Sequence, residues 1–468
     1  MHNIKRRVMG SLMAVLMGTS TILGTCPTPL FAATTSNATT ETEVKADATA
    51  VNANSYGLAS ETEGNILHAW DWKFTDVTEN MKVIAESGYS NVQVSPCQTI
   101  RENVSNNGSW WQFYQPTDFA FCNSLGTEDE FKAMCDEAKK YGVNIIVDIV
   151  SNHLAGSDTA LDGKVADKWK SNTGKYFHNY GSDYKANDDN DRKRMVTGTI
   201  GMPDLNTEDS DVQNAITSYL GKLMDLGADG FRFDAAKHIG TPSDSGECQS
   251  NYWKVIADYV KGKNANALLY GEILNTIPVS IDYYTPYIKV TESQKGWDMK
   301  DLTHGSAVSD KLAFQYTRTT PDKNLITWVE SHDTFCNANQ ETGTPGTDNY
   351  MSNDQIILCW STVASRANAQ SLFFARPEGI KGEGSGANRK VTVLGNLGIN
   401  TKDNSWKDTR VAAVNKFKNA MVGEGESCST NGNLAIIKRG NKGVVVTNFG
   451  SGSANFNVSR LSGLKDGK

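Results

Sequence analysis

The feature that most constrains the fold is a repeated alternation of short apolar segments with amphipathic helical segments, which begins near residue 64. The near-continuous apolar run NIIVDIV (144–150) is typical of a parallel strand that is covered on both faces. The segment before it, TEDEFKAMCDEAKKYG, has apolar residues at helical spacing. It opens with a capping box of Thr127 and Glu130 and ends at Gly142, so it predicts a helix with defined ends.

Segments that predict strands recur along the chain at residues 65–72, 91–96, 144–150, 230–234, 268–273, 286–299, 325–333 and 371–377. Strands that alternate with helices predict a parallel sheet. Eight such units over about 330 residues predict a closed (β/α)8 TIM barrel, in the α/β fold class.

The predicted barrel comprises residues 64–152 and 204–423 and is interrupted after its third strand. Residues 153–203 are polar and rich in Gly, Asn and Asp, which predicts an inserted subdomain. Beyond the barrel, NLAIIKRG and GVVVTNFG predict two antiparallel strands of a C-terminal β-domain at 424–468.

The N-terminal region predicts export. Three cations at residues 5–7 precede an apolar run over 8–23, and LFAA offers a small-residue cleavage site, so residues 1–33 are interpreted as a secretory signal peptide. Residues 34–63 are rich in Thr, Ala, Ser and Asn, which predicts a disordered linker. No later segment is apolar enough to cross a bilayer, so we expect a secreted, extracellular protein without membrane attachment.

Composition excludes some partners. The net charge of -7 provides no basic surface, which argues against nucleic-acid binding. The chain has 38% hydrophobic and 21% charged residues, which is typical of a soluble globular protein. Its cysteines form no CxxC pair, so they are interpreted as small buried hydrophobes rather than a zinc or redox site.

Reactive side chains follow the predicted strands at their C-terminal ends, where barrel enzymes place their active sites. In GFRFDAAKH, the period-2 spacing of a strand puts Arg232 and Asp234 on one face. Together with Glu272 and Asp333, these ends bring three carboxylates to one mouth, so the pKa of at least one should rise. We expect Arg232 to keep Asp234 ionised as a nucleophile and Glu272 to be the protonated acid, the pair that glycoside hydrolysis requires.

Four segments resemble, in order, the signature segments of the α-amylase family, glycoside hydrolase family 13: DIVSNH (148–153), GFRFDAAKH (230–238), GEIL (271–274) and WVESHD (328–333). The stretches ILHAWDW, WWQFYQP and LFFARPEG resemble secreted bacterial members in particular. The resemblance covers about residues 64–468. It implies a monomeric, retaining endo-hydrolase of α-1,4-glucosidic bonds in starch and related α-1,4-glucan oligosaccharides.

The resemblance also implies roles for individual residues. Asp234 matches the family nucleophile, Glu272 the general acid/base and Asp333 the stabiliser of the transition state. The residues that it assigns to substrate binding are Trp111, Tyr114, Gln115, His153, Arg232, Lys237 and His332. The pair Lys237–His238 resembles members that are specific for α-1,4 bonds.

A structural calcium ion is implied as well. Asn152, Asp204 and the main-chain carbonyl of His238 match ligands of the family's Ca²⁺ site. These hard oxygen donors suit that ion. A further ligand, a main-chain oxygen in 185–200, is expected but is not placed by the sequence.

Two alternatives to this function remain at this point. Maltogenic or transglycosylating relatives share the three carboxylates and differ in loops. A non-catalytic sugar-binding barrel could keep the fold alone, although retention of all three carboxylates argues against it. The C-terminal domain is shorter than the family's, so it is expected to be truncated, either as part of a longer protein or as a reduced domain.

Overall fold

The computed structural model describes residues 55–101, 110–121, 123–186, 191–274, 277–336, 347–377 and 403–456. The predicted signal peptide and most of the predicted linker lie outside these residues. In the described ranges, no helix combines the length and the apolar character that crossing a bilayer would require.

Eight parallel strands close into a barrel, which confirms the predicted fold. In chain order they are β1 (Ile66–Ala69), β2 (Asn91–Val94), β5 (Asn144–Ile149), β8 (Gly230–Phe233), β9 (Leu269–Gly271), β10 (Lys289–Glu292), β11 (Leu325–Trp328) and β12 (Gln370–Phe374). Each strand pairs with the next of these in the chain, and β12 pairs with β1 to close the ring.

Helices separate the strands and cover the outside of the barrel. The helices of the described residues are α1 (Phe74–Glu86), α2 (Glu128–Tyr141), α3 (Asp167–Lys170), α4 (Thr173–Tyr176), α5 (Arg192–Thr197), α6 (Ser210–Leu226), α7 (Tyr252–Lys263), α8 (Gln294–Thr303), α9 (Asp310–Phe314), α10 (His332–Cys336), α11 (Thr347–Tyr350), α12 (Asn353–Val363) and α13 (Thr409–Ala420). The predicted capping box of Thr127 and Glu130 is present at α2, and Gly142 ends this helix with φ of 72°.

Two hydrophobic clusters account for the core. The larger one lies between strands and helices and includes Cys97, Cys135 and Cys359, as expected for cysteines that act as small hydrophobes. A separate cluster is contributed by strand residues, among them Ile146 of β5 and Ile326 of β11. Because strand side chains alternate in direction, this second cluster marks the positions that point into the barrel.

Two excursions leave the barrel on the side of the strand C-termini. The first, between β2 and α2, contains β3 (Gln98–Ile100) and β4 (Pro116–Phe121). The second is the predicted insertion and contains β6 (Gly156–Ser157), β7 (Ala160–Leu161) and α3 to α5. Its two ends are joined because the Leu205 N–H donates to the Asn152 carbonyl at 2.8 Å.

The opposite end of the barrel is covered by residues 55–64, although the composition of 34–63 predicts a disordered linker. The Leu268 N–H donates to Glu61 Oε1 at 2.6 Å, and Gln370 Nε2 donates to the Glu61 carbonyl at 2.9 Å. Lys289 Nζ donates to the Thr62 carbonyl at 2.7 Å. Tyr56 and Leu58 also pack against the core, but most of these contacts are long-range hydrogen bonds, which a composition argument does not detect.

The C-terminal part is an antiparallel sheet in the order β13 (Glu426–Asn431), β14 (Leu434–Arg439) and β15 (Gly443–Asn448). The sequence predicted β14 and β15 but not β13, because ESCSTN is polar and its residues are exposed or half-buried. The sheet packs on α12, where the Thr362 hydroxyl donates to Thr447 Oγ1 at 2.9 Å.

Candidate active site

An arginine and an aspartate form a buried ion pair at the C-terminal end of adjacent strands. Asp148 of β5 and Arg232 of β8 are partners in the sheet register. Arg232 Nη1 donates to both carboxylate oxygens of Asp148, at 2.8 and 2.9 Å. The two side chains are 0% and 6% exposed, so the charges are desolvated together. Such a pair is seldom retained for stability alone, because desolvation costs about as much as the pairing returns.

The same guanidinium holds two further carboxylates. Arg232 Nη1 donates to Asp234 Oδ1 at 2.8 Å, and Arg232 Nη2 lies 3.1 Å from Glu272 Oε2. The Ala235 N–H donates to that same Glu272 oxygen at 3.0 Å. Ala235 has φ of 50°, a left-handed conformation that is uncommon for a residue with a Cβ and tends to occur at functional sites.

The third predicted carboxylate completes the group. Asp333 is the second residue of α10, directly after β11, and its side chain hydrogen-bonds with Glu272. Burial, the charge of Glu272 and this hydrogen bond raise the pKa of Asp333 to about 7. The structure therefore brings Asp234, Glu272 and Asp333 together, as the sequence predicted.

The pKa of Asp234 differs from the expectation that Arg232 keeps this aspartate ionised. Burial raises the pKa of Asp234, and Arg232 lowers it only in part, so the net shift is upward. Burial likewise raises the pKa of Asp148 to about 7 in spite of Arg232. One guanidinium is shared among several buried carboxylates, and it cannot offset the desolvation of all of them.

Aromatic rings line one side of the carboxylate group. His332 stacks on Tyr114, with ring centroids 5.3 Å apart and an angle of 9° between the rings. Trp110 contacts His332 and Tyr114 edge-on, at 5.4 and 5.9 Å. Burial, with the charge of Arg232, lowers the pKa of His332 to about 3, so its ring is neutral. Its Nε2 lies 3.5 Å from Asp333 Oδ2.

Of the other predicted substrate residues, His153 lies closest to this wall. Its Nε2 pairs with the Tyr114 carbonyl at 3.0 Å, and burial lowers its pKa to about 4. Trp111 is half-buried against the main core, and Lys237 is half-buried after β8. The Gln115 amide oxygen accepts a hydrogen bond from Arg101 at 2.9 Å, so this contact turns it toward Arg101.

Two residues of the site were missed. Asp148 lies two positions after Ile146, which points into the barrel, so strand alternation in NIIVDIV would have placed the carboxylate on the inner face beside Arg232. The Tyr114 hydroxyl donates to Asp148 Oδ2 at 3.0 Å, which ties the aromatic wall to the ion pair. Trp110 precedes Trp111 in WWQFYQP, and no periodic signal separates the two rings.

Two of the residues predicted to bind calcium, Asn152 and Asp204, meet where the two ends of the insertion join. Asn152 and Asp204 are each 1% exposed, and Asn152 Nδ2 is buried without a hydrogen-bond partner. Asp204 Oδ2 pairs with His178 Nδ1 at 2.7 Å, whereas Asp204 Oδ1 is buried without a hydrogen-bond partner. His238 Nδ1 pairs with the Met195 carbonyl at 2.8 Å, which joins the loop after β8 to α5 of the insertion.

These donors fit a hard cation. A buried carboxylate oxygen without a partner, beside an amide and main-chain carbonyls, is the kind of oxygen set that Ca²⁺ binds. Among the described residues, no cluster of three or more His, Cys, Asp or Glu side chains could hold a metal. The predicted set contains a single carboxylate, so it does not depend on such a cluster.

The chain is similar in sequence to one protein family and to several known proteins. The family described as the α-amylase catalytic domain matches residues 71–349. An α-amylase of Clostridium acetobutylicum is 36% identical over 415 residues, which cover 86% of this chain and 50% of that protein. An α-amylase of Butyrivibrio fibrisolvens is 32% identical over 454 residues, covering 86% of this chain and 44% of that protein. The chain thus spans half or less of the length of these relatives.

A solved structure shows the same fold. A variant of α-amylase I from Eisenia fetida, in complex with maltohexaose, superposes with a TM-score of 0.64 at 19% identity. The superposition covers 84% of this chain and 85% of that one. At this level of identity the likeness extends to the architecture of the barrel and its flanking elements.

Proposed function

The chain belongs to the α-amylase family of glycoside hydrolases, and on this premise we propose that it hydrolyses internal α-1,4-glucosidic bonds of starch and related glucans with retention of configuration. The observation that carries the proposal is the sharing of Arg232 by Asp234 and Glu272, at 2.8 and 3.1 Å. Two carboxyl groups on one guanidinium are close, and a separation of about 5–5.5 Å is typical of retaining enzymes.

In this proposal, the Asp234 carboxylate attacks the anomeric carbon while Glu272 donates its proton to the leaving glycosidic oxygen. The carbon–oxygen bond to the leaving sugar breaks, and a covalent glycosyl ester forms on Asp234. The ionised Glu272 then takes a proton from water, and the water oxygen displaces Asp234 with a second inversion. The Ala235 N–H orients the Glu272 carboxyl group by donating to one of its oxygens.

The neighbouring groups support binding of a sugar at this point. The stacked rings of Tyr114 and His332 offer a flat wall for an apolar sugar face. Neutral imidazoles at His153 and His332 provide hydrogen bonds to hydroxyls without adding charge. Asp333 would accept hydrogen bonds from hydroxyls of the sugar, and these bonds would shorten as positive charge develops on the sugar ring. The Eisenia fetida enzyme in complex with maltohexaose supports an α-1,4-glucan as the ligand class.

Proton NMR of the first products from soluble starch tests the mechanism. We expect α-configured products before mutarotation. Initial release of β-configured products would mean that water, rather than Asp234, attacks the sugar. A product profile on starch, pullulan and maltotriose distinguishes endo-hydrolysis from the maltogenic or transglycosylating alternative, and no turnover on any of them would favour a sugar-binding protein.

We further propose that Asn152, Asp204 and the His238 carbonyl hold a structural Ca²⁺. Asn152 and Asp204 lie at opposite ends of the insertion, so the ion would bind the native state and fasten the insertion to the barrel. Melting temperature with and without a chelator is the test. Metal-stripped protein that melts at the same temperature as the calcium-saturated protein would rule out this site.

The N-terminal sequence supports export as a secreted, extracellular protein, and we propose a monomer in solution. Mass spectrometry of protein collected from the culture medium should give an N-terminus near Ala32 or Ala33. An intact N-terminus would contradict the signal peptide, and light scattering of the purified protein would detect any higher oligomer.

A further inference from the structure

Arg192 links the insertion to the loop that follows the candidate nucleophile. It is the first residue of α5, and its Nε and Nη2 donate to the two carboxylate oxygens of Asp244 at 2.8 and 2.7 Å. Asp244 is fixed in turn, because Oδ2 accepts from both the N–H and the hydroxyl of Thr241. The side chains of Arg192 and Asp244 are 11% and 2% exposed, so this bidentate pair is shielded from solvent.

The remaining donors of Arg192 act on the main chain. Nη1 donates to the Lys237 carbonyl at 2.9 Å, and Nη2 lies 3.5 Å from the Ile239 carbonyl. Nη2 also donates to the Tyr284 hydroxyl at 2.9 Å. That hydroxyl lies 3.2 Å from the Lys237 carbonyl and 3.0 Å from the Ile239 carbonyl, and its single proton is available to either of them.

These contacts fix both carbonyls that flank His238. The segment Lys237–Ile239 begins three residues after Asp234 and overlaps a short 3-10 helix, Ala236–His238. Holding these carbonyls fixes the peptide planes Lys237–His238 and Ile239–Gly240, and the first of these sets the direction in which the preceding side chain leaves the main chain. That side chain is Lys237, which the sequence assigns to substrate binding.

We propose that Arg192, together with Asp244 and Tyr284, is a positioning residue that fixes the segment Lys237–Ile239 for binding of the glucan chain. The inference rests on the proposed function of the same site. It assigns to the insertion a part in substrate binding that acts through Lys237, in addition to any role in calcium binding. A lysine could not replace Arg192, because an ammonium group cannot hold a carboxylate in two places and two carbonyls at once.

The neighbouring residue provides a matched control. Lys193 is also a cation of α5, and its Nζ lies 2.6 Å from Glu247 Oε2. The two side chains are 51% and 71% exposed, so this ion pair is solvated and contacts neither carbonyl. Lys193→Met removes a positive charge from the same helix, a larger change in charge than Arg192→Lys makes, and leaves the contacts of the segment in place.

The experiment compares Arg192→Lys, Tyr284→Phe and Lys193→Met with the wild-type chain on maltoheptaose. We expect KM to rise about tenfold for Arg192→Lys and about threefold for Tyr284→Phe, with kcat changed less than about twofold, because charged hydrogen bonds are worth more than neutral ones. Lys193→Met should match the wild type. Circular dichroism and melting temperature check that each variant is folded, and Tyr284→Phe keeps the ring in place if Arg192→Lys does not fold.

A second readout does not depend on turnover. Calorimetric titration of maltoheptaose into Asp234→Asn, with and without Arg192→Lys, should show Kd about tenfold weaker in the double variant. Wild-type protein that binds maltoheptaose without cleaving it would contradict the proposed function and leave the Kd comparison to decide the role of Arg192. The inference would be overturned if Arg192→Lys had the same KM and Kd as Lys193→Met. It would also be overturned if kcat fell by the same factor by which KM rose.

Discussion

At the N-terminal end of the barrel, Glu61, Lys289 and Gln370 each bond to the main chain, whereas at the C-terminal end Asp234 and Glu272 share a single arginine with each other. Both ends bury polar side chains. At the N-terminal end, these side chains are bonded to main-chain atoms, which do not titrate. At the C-terminal end, carboxyl groups are partners of one another, so their protonation states are linked.

The difference separates structure from chemistry. A polar group that is hydrogen-bonded to main-chain atoms orders the chain, even where burial shifts its pKa, as it raises that of Glu61 to about 8. Carboxyl groups that are held close cannot all ionise cheaply, and this provides both a proton donor and an anion at one place. The barrel therefore uses burial to secure one end and to adjust reactivity at the other, in agreement with the general division of roles between the two faces of this fold.

The largest expected effect is at the mouth. Asp234→Asn keeps the shape of the side chain and removes the nucleophile, so turnover of starch should fall by about four orders of magnitude. The melting temperature should stay close to that of the wild type, because Asp234 is at the mouth and not in the apolar core. Activity within tenfold of the wild type, in protein free of wild-type contamination, would show that Asp234 is not the nucleophile.

Asp148→Asn is expected to change both stability and activity. It removes the carboxylate that accepts two hydrogen bonds from the buried Arg232, whereas Asp234 and Glu272 remain as its partners, so we expect a loss of about 1.5–3 kcal/mol of unfolding free energy. We also expect kcat/KM to fall about a hundredfold, because Arg232 positions Asp234 and Glu272. Asp225→Asn is the control, since its partner Lys263 is 37% exposed and the pair is solvated. A stability loss no greater than the control's would contradict the role of Asp148.

The opposite end is tested by Glu61→Ala. The Leu268 N–H would lose its acceptor, and a buried donor without a partner costs about 1–3 kcal/mol. The kcat for starch should stay within about twofold of the wild type, because the contact lies at the face that bears no reactive groups. Glu63→Ala, at an exposed position two residues away, should have little effect on either quantity. A fall in kcat with Glu61→Ala alone would mean that the two ends are coupled.

The smallest effect concerns pH. Because the pKa of Asp333 is raised from 3.8 to about 7, the folded chain keeps a proton in this interval that the unfolded chain releases. Stability should therefore decrease as pH rises from about 4 to about 7. Asp333→Asn, which does not titrate, should reduce that slope in denaturation curves measured across the interval. Parallel curves for the two proteins would show that Asp333 ionises normally in the fold.

Periodicity was sufficient for the barrel, since an apolar strand and an amphipathic helix each have a local sequence signature. The polar strand β13 has no such signature and is specified by its pairing with β14. Residues 55–63 were likewise missed, since Glu61 is ordered by partners about 200 residues away in the chain.

The site was predictable where a residue follows a strand, as Asp234, Glu272 and Asp333 do. The orientation of Gln115 was not, because its contact with Arg101 depends on how the loop folds. The upward pKa shift of Asp234 also lay beyond the sequence, because it depends on how much solvent is lost relative to one shared guanidinium. The link between Arg192 and Lys237 joins two loops and has no motif.

The segment that covers the N-terminal end of the barrel has a kinetic consequence. Its bonds connect residues that are far apart in the chain: 309 positions separate Glu61 from Gln370, and 360 separate Ala59 from Asn419. Until residues 370–374 are available, β1 has no β12 to pair with. The ring can close only when nearly the whole barrel has been synthesised, so folding should be slow and an open strand edge should persist as a site of misassociation.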